Sequence, residues 1–183
     1  MKTEKEPKSS DKAIDWPEAL STAQPSPAAG SAAAITGAMG VALLIKLARL
    51  TPPQEIANHD RLLAQLLVAR NRLAALAGAD ASAITTWIRT RRLSASDPVR
   101  QAALQTLVEV PLEAAELCQA IRREAQSLLE HGHRPALPDG QAGIQLLKAC
   151  QHTLCILIEA NLHTLVDTVL IKAAKTRLEQ LDG

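Results

Sequence analysis

Apolar residues recur along most of the chain at intervals of three and four positions, which is the spacing of an amphipathic helix. The clearest stripe lies in residues 53–77 and consists of Leu62, Leu63, Leu66, Leu67, Leu73 and Leu76. A second stripe lies in residues 139–181 and consists of Ile144, Leu147, Leu154, Ile158, Leu162, Leu165 and Val169. Other faces of this last segment are apolar too, so we expect much of it to be buried.

Capping residues and prolines divide this pattern into six predicted helices, over residues 16–22, 31–50, 53–77, 80–92, 98–130 and 139–181. Asp15 and Asp97 each precede a proline by one or two positions and are the predicted N-caps. Gly78 is the predicted C-cap of the third helix. Pro111 is expected to kink the fifth helix. Loops are predicted at 24–31 and 131–135, and the last helix would span about 60 Å if unbroken.

Composition makes the class all-α. Alanine and leucine dominate the apolar 47%, Tyr and Phe are absent, and the only aromatic residues are Trp16 and Trp87. Alanine and leucine favour helices, whereas strands favour aromatic and β-branched residues. The predicted fold is an elongated up-and-down helical bundle with a long kinked helix and a long C-terminal helix. We assign residues 13–183 to one domain and residues 1–12 to a disordered charged tail.

Charge and cysteine content narrow the possible partners. A formal net charge of +1 gives no signal for nucleic-acid binding. The three cysteines are odd in number and follow no hydrophobic leader, which predicts reduced thiols in a cytoplasmic protein. The apolar run 32–45 is too short to span a bilayer, and 153–171 carries several polar groups that are costly in lipid. We therefore expect no membrane partner.

Several segments resemble one family. They are Trp-Pro-Glu-Ala-Leu at 16–20, the small-residue block at 30–40, Ala-Arg-Leu-Thr at 48–51, Asp80-Ala81, Arg100-Gln101, Val-Pro-Leu at 110–112, Pro-Asp-Gly at 138–140 and Asn161-Leu162. Together they resemble the cyclodeaminase/cyclohydrolase family of folate one-carbon enzymes, which includes the C-terminal domain of formiminotransferase-cyclodeaminase and methenyltetrahydrofolate cyclohydrolase. The resemblance spans about residues 13–170, and the opening block is its most specific part.

The resemblance implies a function. Cyclodeaminases of the family close 5-formimino-tetrahydrofolate to the methenyl form and release ammonia, and cyclohydrolases open methenyl-tetrahydrofolate with water. Both reactions pass through a cationic centre that a carboxylate stabilises. By resemblance Asp139 is the catalytic candidate, and Gly30, Ser31, Asn161 and Asp80 are the substrate-binding candidates. The resemblance also implies a homodimer, with the folate as substrate and with no further cofactor and no metal.

Departures from the family pattern leave alternatives open. Ala28 and Ala29 replace loop glycines, and Pro138 replaces a serine. If the two alanines need φ > 0, each costs about 1–2 kcal/mol. A non-catalytic helical dimer that binds a folate or a partner protein is therefore the alternative to an enzyme. Between the two activities the cyclohydrolase is preferred, because no formiminotransferase domain is fused to this sequence.

Each candidate also has a structural interpretation. Asp139, Ser31 and Asp80 are residue types that cap helices. Asn161 lies in an apolar helix, where its amide is expected to bind either the folate or a neighbouring helix. Cys150 and His152 point to nearly opposite sides of a helix, so no metal site is predicted there.

Overall fold

The computed structural model describes residues 14–181, and 83% of these residues are helical. Within that range there is no strand, and the all-α class is confirmed. Two short 3-10 turns, Pro53–Glu55 and Arg134–Ala136, link some of the helices. The helices are α1 Trp16–Ser21, α2 Ala29–Leu50, α3 His59–Thr90, α4 Pro98–Glu124, α5 Gln126–His131, α6 Leu137–Leu162 and α7 Thr168–Leu181. The tail predicted at 1–12 lies outside the described residues.

Four long helices form an antiparallel bundle in which α2 and α4 each pack against both α3 and α6. Ser31 near the start of α2 bonds to Ala77 in the second half of α3, and Ala48 near the end of α2 contacts His59 at the start of α3. These two helices therefore run in opposite directions. Lys46 near the end of α2 likewise bonds to Asp139 at the start of α6. The core between them is mostly leucine and alanine, as the three-and-four spacing predicts. The short helix α7 lies mainly against α4.

The helix break predicted at Gly78 is wrong. Helix α3 is continuous over His59–Thr90 and contains both Gly78 and Asp80. A glycine inside a helix costs only about 1 kcal/mol relative to alanine. The apolar stripe continues past it, because Ala83 is buried. The packing of this stripe outweighs the local preference of Gly78, and Asp80 therefore does not begin a helix.

The single helix predicted over 139–181 is also wrong, because α6 ends at Leu162 and α7 begins at Thr168. The Thr164 hydroxyl donates to the Asn161 carbonyl at 2.6 Å, which satisfies a carbonyl at the end of α6. Asp167 Oδ1 accepts the backbone N–H groups of Val169 and Leu170 at the start of α7. These local side-chain bonds compete with helix continuation. The predicted helix over 98–130 similarly divides at Ala125, whose ψ of 1° departs from helical geometry.

Small residues bring the backbones of α2 and α6 into direct contact. A Cβ added to Gly40 would lie 2.7 Å from the Gly143 carbonyl oxygen, and one added to Gly143 would lie 2.6 Å from the Gly40 carbonyl oxygen. Neither position accepts a side chain without separating the two helices. The small residues of α2 therefore serve close helix packing, as the sequence predicts.

Helix α2 is longer than the apolar run that predicts it. Its 22 residues make it the one helix, among the residues that the structure describes, with the length and composition to cross a membrane. This corrects the expectation that the run is too short. In the structure 61% of the most apolar 18-residue stretch of α2 is buried, because α3 and α6 cover it. The burial is that of a core helix.

Two cysteines lie side by side in the core and lead to a testable expectation. The Sγ atoms of Cys118 and Cys150 are 3.4 Å apart, and both residues are buried. The hydrogen bond that the Cys118 thiol donates to Cys150, together with burial, raises the pKa of Cys118 well above its usual range. Since the thiolate is the reactive form, we expect iodoacetamide to modify neither cysteine in the native protein and both after unfolding. Mass spectrometry of native and denatured samples tests this, and native labelling of either one would contradict it.

Candidate functional site

Three of the predicted site residues meet at the N-terminus of α2. The Ser31 hydroxyl lies 2.8 Å from Asp80 Oδ2 and 3.0 Å from the Ala77 carbonyl oxygen, so it bridges α2 to α3. Ser31 is fully buried and Asp80 is only 7% exposed. The N-cap position of α2 is Ala28, which makes no side-chain cap. Asp80, on another helix, therefore supplies the carboxylate that the first turn of α2 lacks.

Gly30 is the residue that lets this carboxylate approach. A Cβ built on Gly30 would overlap all three carboxyl atoms of Asp80, and Oδ1 most severely. The backbone conformation is helical and needs no glycine, so the requirement is one of space. Gly30, Ser31 and Asp80 thus form one packed unit, which we call the Asp80 site.

Burial shifts the proton equilibrium of this site. Desolvation raises the pKa of Asp80 above its usual value, and hydrogen bonds from the Ser31 side chain and backbone oppose the rise without cancelling it. A carboxyl group with a raised pKa exchanges protons closer to neutral pH than an exposed aspartate does. The site therefore combines a packed geometry with a carboxyl group that keeps its proton to higher pH than an exposed aspartate does.

The loop before α2 is tied to the same part of α3. The Ser26 hydroxyl donates to the Ala81 carbonyl oxygen at 3.0 Å. Ala28 has an extended backbone conformation, with φ −134° and ψ −162°, and Ala29 is the first residue of α2. Neither has positive φ, so the backbone strain considered for alanines at these two positions is absent. Ser26 was not predicted to contribute, because its partner is 55 residues away in the sequence.

Asp139 lies at the other end of the bundle. It is in the first turn of α6 but caps no helix, because Ala136 occupies the N-cap position. Its carboxylate is 38% exposed and pairs with Lys46 Nζ at 2.6 Å. Lys46 is fifteen positions from Ser31 on α2, a separation of about 22 Å along the helix. Within one chain, the carboxyl groups of Asp139 and Asp80 are therefore too far apart to contact the same reacting carbon. The catalytic role of Asp139 stays a prediction.

The neighbours of Asp139 explain how its segment tolerates the departure at Pro138. The proline stands in the first turn of α6, where a missing backbone N–H leaves no bond unmade. The pairing with Lys46 was missed in the sequence, although an antiparallel arrangement of α2 and α6 places these two residues together. Lys46 thus places a cation in direct contact with the predicted catalytic carboxylate.

Asn161 has a structural partner. Its Nδ2 donates to the Leu107 carbonyl oxygen at 2.9 Å, which links the end of α6 to α4. Asn161 lies twenty-two positions after Asp139, about 33 Å along α6. The structure thus shows that the amide of Asn161 binds the neighbouring helix α4. Contact with a folate stays a prediction. No cluster of three metal-binding side chains occurs in the part of the chain that the structure describes.

Comparisons with known proteins place this fold. The chain is similar to the crystal structure of formiminotetrahydrofolate cyclodeaminase from Thermotoga maritima, with a TM-score of 0.83 and 22% sequence identity. That match covers 89% of this chain and 84% of the other. The curated proteins contain no match. The profile of the formiminotransferase-cyclodeaminase family matches residues 12–180. With nearly the whole chain covered, this protein belongs to the formiminotransferase-cyclodeaminase family.

Proposed function

We propose that this protein is a folate enzyme that acts on the carbon between N5 and N10 of tetrahydrofolate. Membership of the family and the buried carboxyl group of Asp80 support the proposal. The preferred activity is hydrolysis of methenyl-tetrahydrofolate, and the alternative is deamination of formimino-tetrahydrofolate. We place the reaction in the cytoplasm, in keeping with the reduced thiols of Cys118 and Cys150.

Both reactions need proton transfer beside a cation. In hydrolysis, water adds to the methenyl carbon and loses a proton. The C–N5 bond then breaks as N5 takes up a proton, and the hydroxyl group of the adduct loses its proton to become the formyl carbonyl. In deamination, N10 adds to the formimino carbon and loses a proton, and the leaving nitrogen takes up protons and departs as ammonia. An ionised carboxylate stabilises the cation and accepts the first proton, and its neutral form then donates one.

Asp80 is the group in this chain that best matches those requirements. Its raised pKa brings the proton exchange closer to neutral pH. The Ser31 hydroxyl bonds to one carboxylate oxygen, and the missing side chain of Gly30 lets the other approach the backbone of α2. Asp139 is the competing candidate, since its partly buried carboxylate is in contact with the cation of Lys46. The proposal therefore assigns proton transfer to Asp80 and keeps Asp139 as the residue to compare.

Turnover of the two substrates tests the proposal. The purified protein is expected to accelerate loss of methenyl-tetrahydrofolate absorbance over buffer, and Asp139→Asn is measured beside it. A sharp fall in that variant would transfer the catalytic role to Asp139. Ammonia release from formimino-tetrahydrofolate that outpaces methenyl hydrolysis would make the enzyme a cyclodeaminase. The absence of both activities would contradict an enzymatic function.

A non-catalytic folate-binding relative is the second candidate, and Ala28, Ala29 and Pro138 favour it. Replacing both alanines by glycine separates it from an adapted enzyme. If the loop has lost function, the double variant gains activity by a large factor. If the loop is adapted, the activity of the double variant is unchanged or lower. The two glycines then increase the conformational entropy of the unfolded chain and add no contact to the site.

We further propose that the protein acts as a homodimer. An apolar groove of about 430 Å³ lies between α1 and the outer face of α2, and its walls include Trp16, Ile35 and Met39. Met39 is 52% exposed, and no residue of α1 is buried. A second copy that covers this groove would bury these side chains. Light scattering tests this, and Met39→Glu is expected to convert a dimer to a monomer, whereas a monomeric parent would contradict it.

A further inference from the structure

A second cavity, of about 670 Å³, lies between the end of α4, the start of α5 and the middle of α6. It shares no residue with the Asp80 site. Three of its lining residues are cations, namely Arg122, Arg123 and Lys148, and two are amides, Gln119 and Gln126. Aliphatic side chains complete the lining, and none of the lining residues is acidic. The chemistry of this wall is that of an anion site.

One of the three cations is held in position. Arg122 Nη1 donates to Gln151 Oε1 at 2.8 Å, and Gln151 Nε2 donates to the Leu181 carbonyl oxygen at 2.7 Å. Gln151 is itself buried. This chain of bonds fixes the guanidinium while its other N–H groups keep their capacity to donate. A pre-positioned arginine loses less side-chain entropy when it binds an oxyanion.

The positive charge of the cavity, carried by Arg122, Arg123 and Lys148, forms no ion pair among the residues that the structure describes. Glu124 and Glu130, which flank this wall in the sequence, line other cavities, and Glu130 Oε1 accepts a hydrogen bond from Gln126 Nε2 at 2.9 Å. The dipole of α4 accounts for the two arginines in its last turn, but not for Lys148 in the middle of α6. The three positive charges around this cavity repel each other, and a bound anion would offset that repulsion.

We propose that this cavity binds a small oxyanion that carries at least two negative charges. The planar arginine side chains match the paired oxygens of a carboxylate or a phosphate, and Lys148 on α6 adds a point charge. Phosphates and polycarboxylates share this chemistry. The inference is independent of the proposed folate reaction, because it concerns other residues and is measured without a folate.

The test is a calorimetric titration of the full chain with inorganic phosphate and, separately, with tricarballylate, at constant ionic strength maintained with chloride. Saturable binding of at least one anion is expected. Lys148→Gln and Arg123→Gln are each expected to weaken it about tenfold, the cost of one charge-assisted hydrogen bond. Arg122 is left intact because of its bond to Gln151. The matched control is Arg89→Gln, which removes an exposed cation from the last turn of α3 and is expected to leave the affinity unchanged.

Each result bears on the proposal. Binding of one anion alone supports it and identifies the ligand as a phosphate or as a polycarboxylate. No saturable binding of either anion overturns it. Binding that Lys148→Gln and Arg123→Gln leave unchanged overturns it as well, since the anion then lies elsewhere. An equal loss in Arg89→Gln also overturns it, because the effect is then one of net charge. Melting temperatures of all variants without anion confirm that each is folded.

Discussion

Asp80→Asn is expected to lower the rate of methenyl-tetrahydrofolate hydrolysis by about 100-fold or more, the usual contribution of a general acid or base. Asparagine has nearly the same shape, and its carbonyl oxygen accepts the bond from the Ser31 hydroxyl. It does not exchange protons, so the geometry stays while the chemistry is lost. The measurement is the decrease in substrate absorbance with equal amounts of parent and variant protein.

The matched control for this variant is Asp60→Asn. Asp60 is on the same helix, and its side chain is 99% exposed. The change in charge is identical, and activity is expected to match that of the parent. An Asp80→Asn protein with near-parental turnover would remove Asp80 from the reaction. Equal losses in both variants would show that the effect follows net charge.

The same variant carries a stability prediction with a definite sign. Because the folded-state pKa of Asp80 is raised, its stabilising contribution is present below the unfolded pKa and is lost as pH rises through the folded pKa. Asp80→Asn has no such loss. The melting temperature of the variant minus that of the parent is therefore expected to grow as pH rises from about 4 and to level off above the folded pKa. A difference that shrinks over this range would mean that the pKa is lowered instead.

Gly30→Ala is expected to destabilise the protein by about 1–3 kcal/mol, the usual cost of overpacking a core. The new methyl group overlaps the Asp80 carboxyl, so either the start of α2 or the carboxyl must shift. Both responses break the bond to Ser31. At about 2–4 °C for each kcal/mol, the melting temperature is expected to fall by roughly 5 °C. Hydrolysis is expected to fall with it, because the proton-transfer group is displaced.

Gly78→Ala provides the control for this change. It lies on α3, two positions before Asp80, and an added Cβ meets no atom within 4 Å. Alanine is the better helix former by up to about 1 kcal/mol, so this variant is expected to melt above the parent. Thermal unfolding of the three proteins side by side decides the matter. If Gly30→Ala melts with the parent, the close approach of Gly30 and Asp80 is not a constraint on the fold.

The sequence predicts those parts of the fold that depend on local chemistry. Asp15 and Asp97 cap α1 and α4 where expected, since an N-cap bonds to backbone groups two or three residues away. The all-α class follows in the same way from composition. Gly78 shows the limit of such reasoning, because its preference to end a helix is weaker than the tertiary packing of the residues around it.

The candidate site is harder to predict, because its bonds join distant positions. Gly30, Ser31 and Asp80 were each selected by resemblance, yet nothing local indicates that a hydroxyl and a carboxyl 49 positions apart are hydrogen-bonded. The pairing of Lys46 with Asp139 has the same character. Such contacts follow only when the antiparallel order of α2, α3 and α6 is known. The residue types were predictable, and their partners required the fold.

The contact between Gly40 and Gly143 bears on how the chain is made. The carbonyl group that α2 packs against is synthesised more than a hundred positions after Gly40. At about 5–20 residues per second, α2 waits roughly 5–20 seconds on the ribosome before α6 exists to cover it. During that interval a 22-residue helix with the apolarity of a membrane span is without its main cover. Nascent-chain factors that bind hydrophobic segments are therefore expected to engage ribosome-bound chains that stop before α6, and to release them once α6 has emerged.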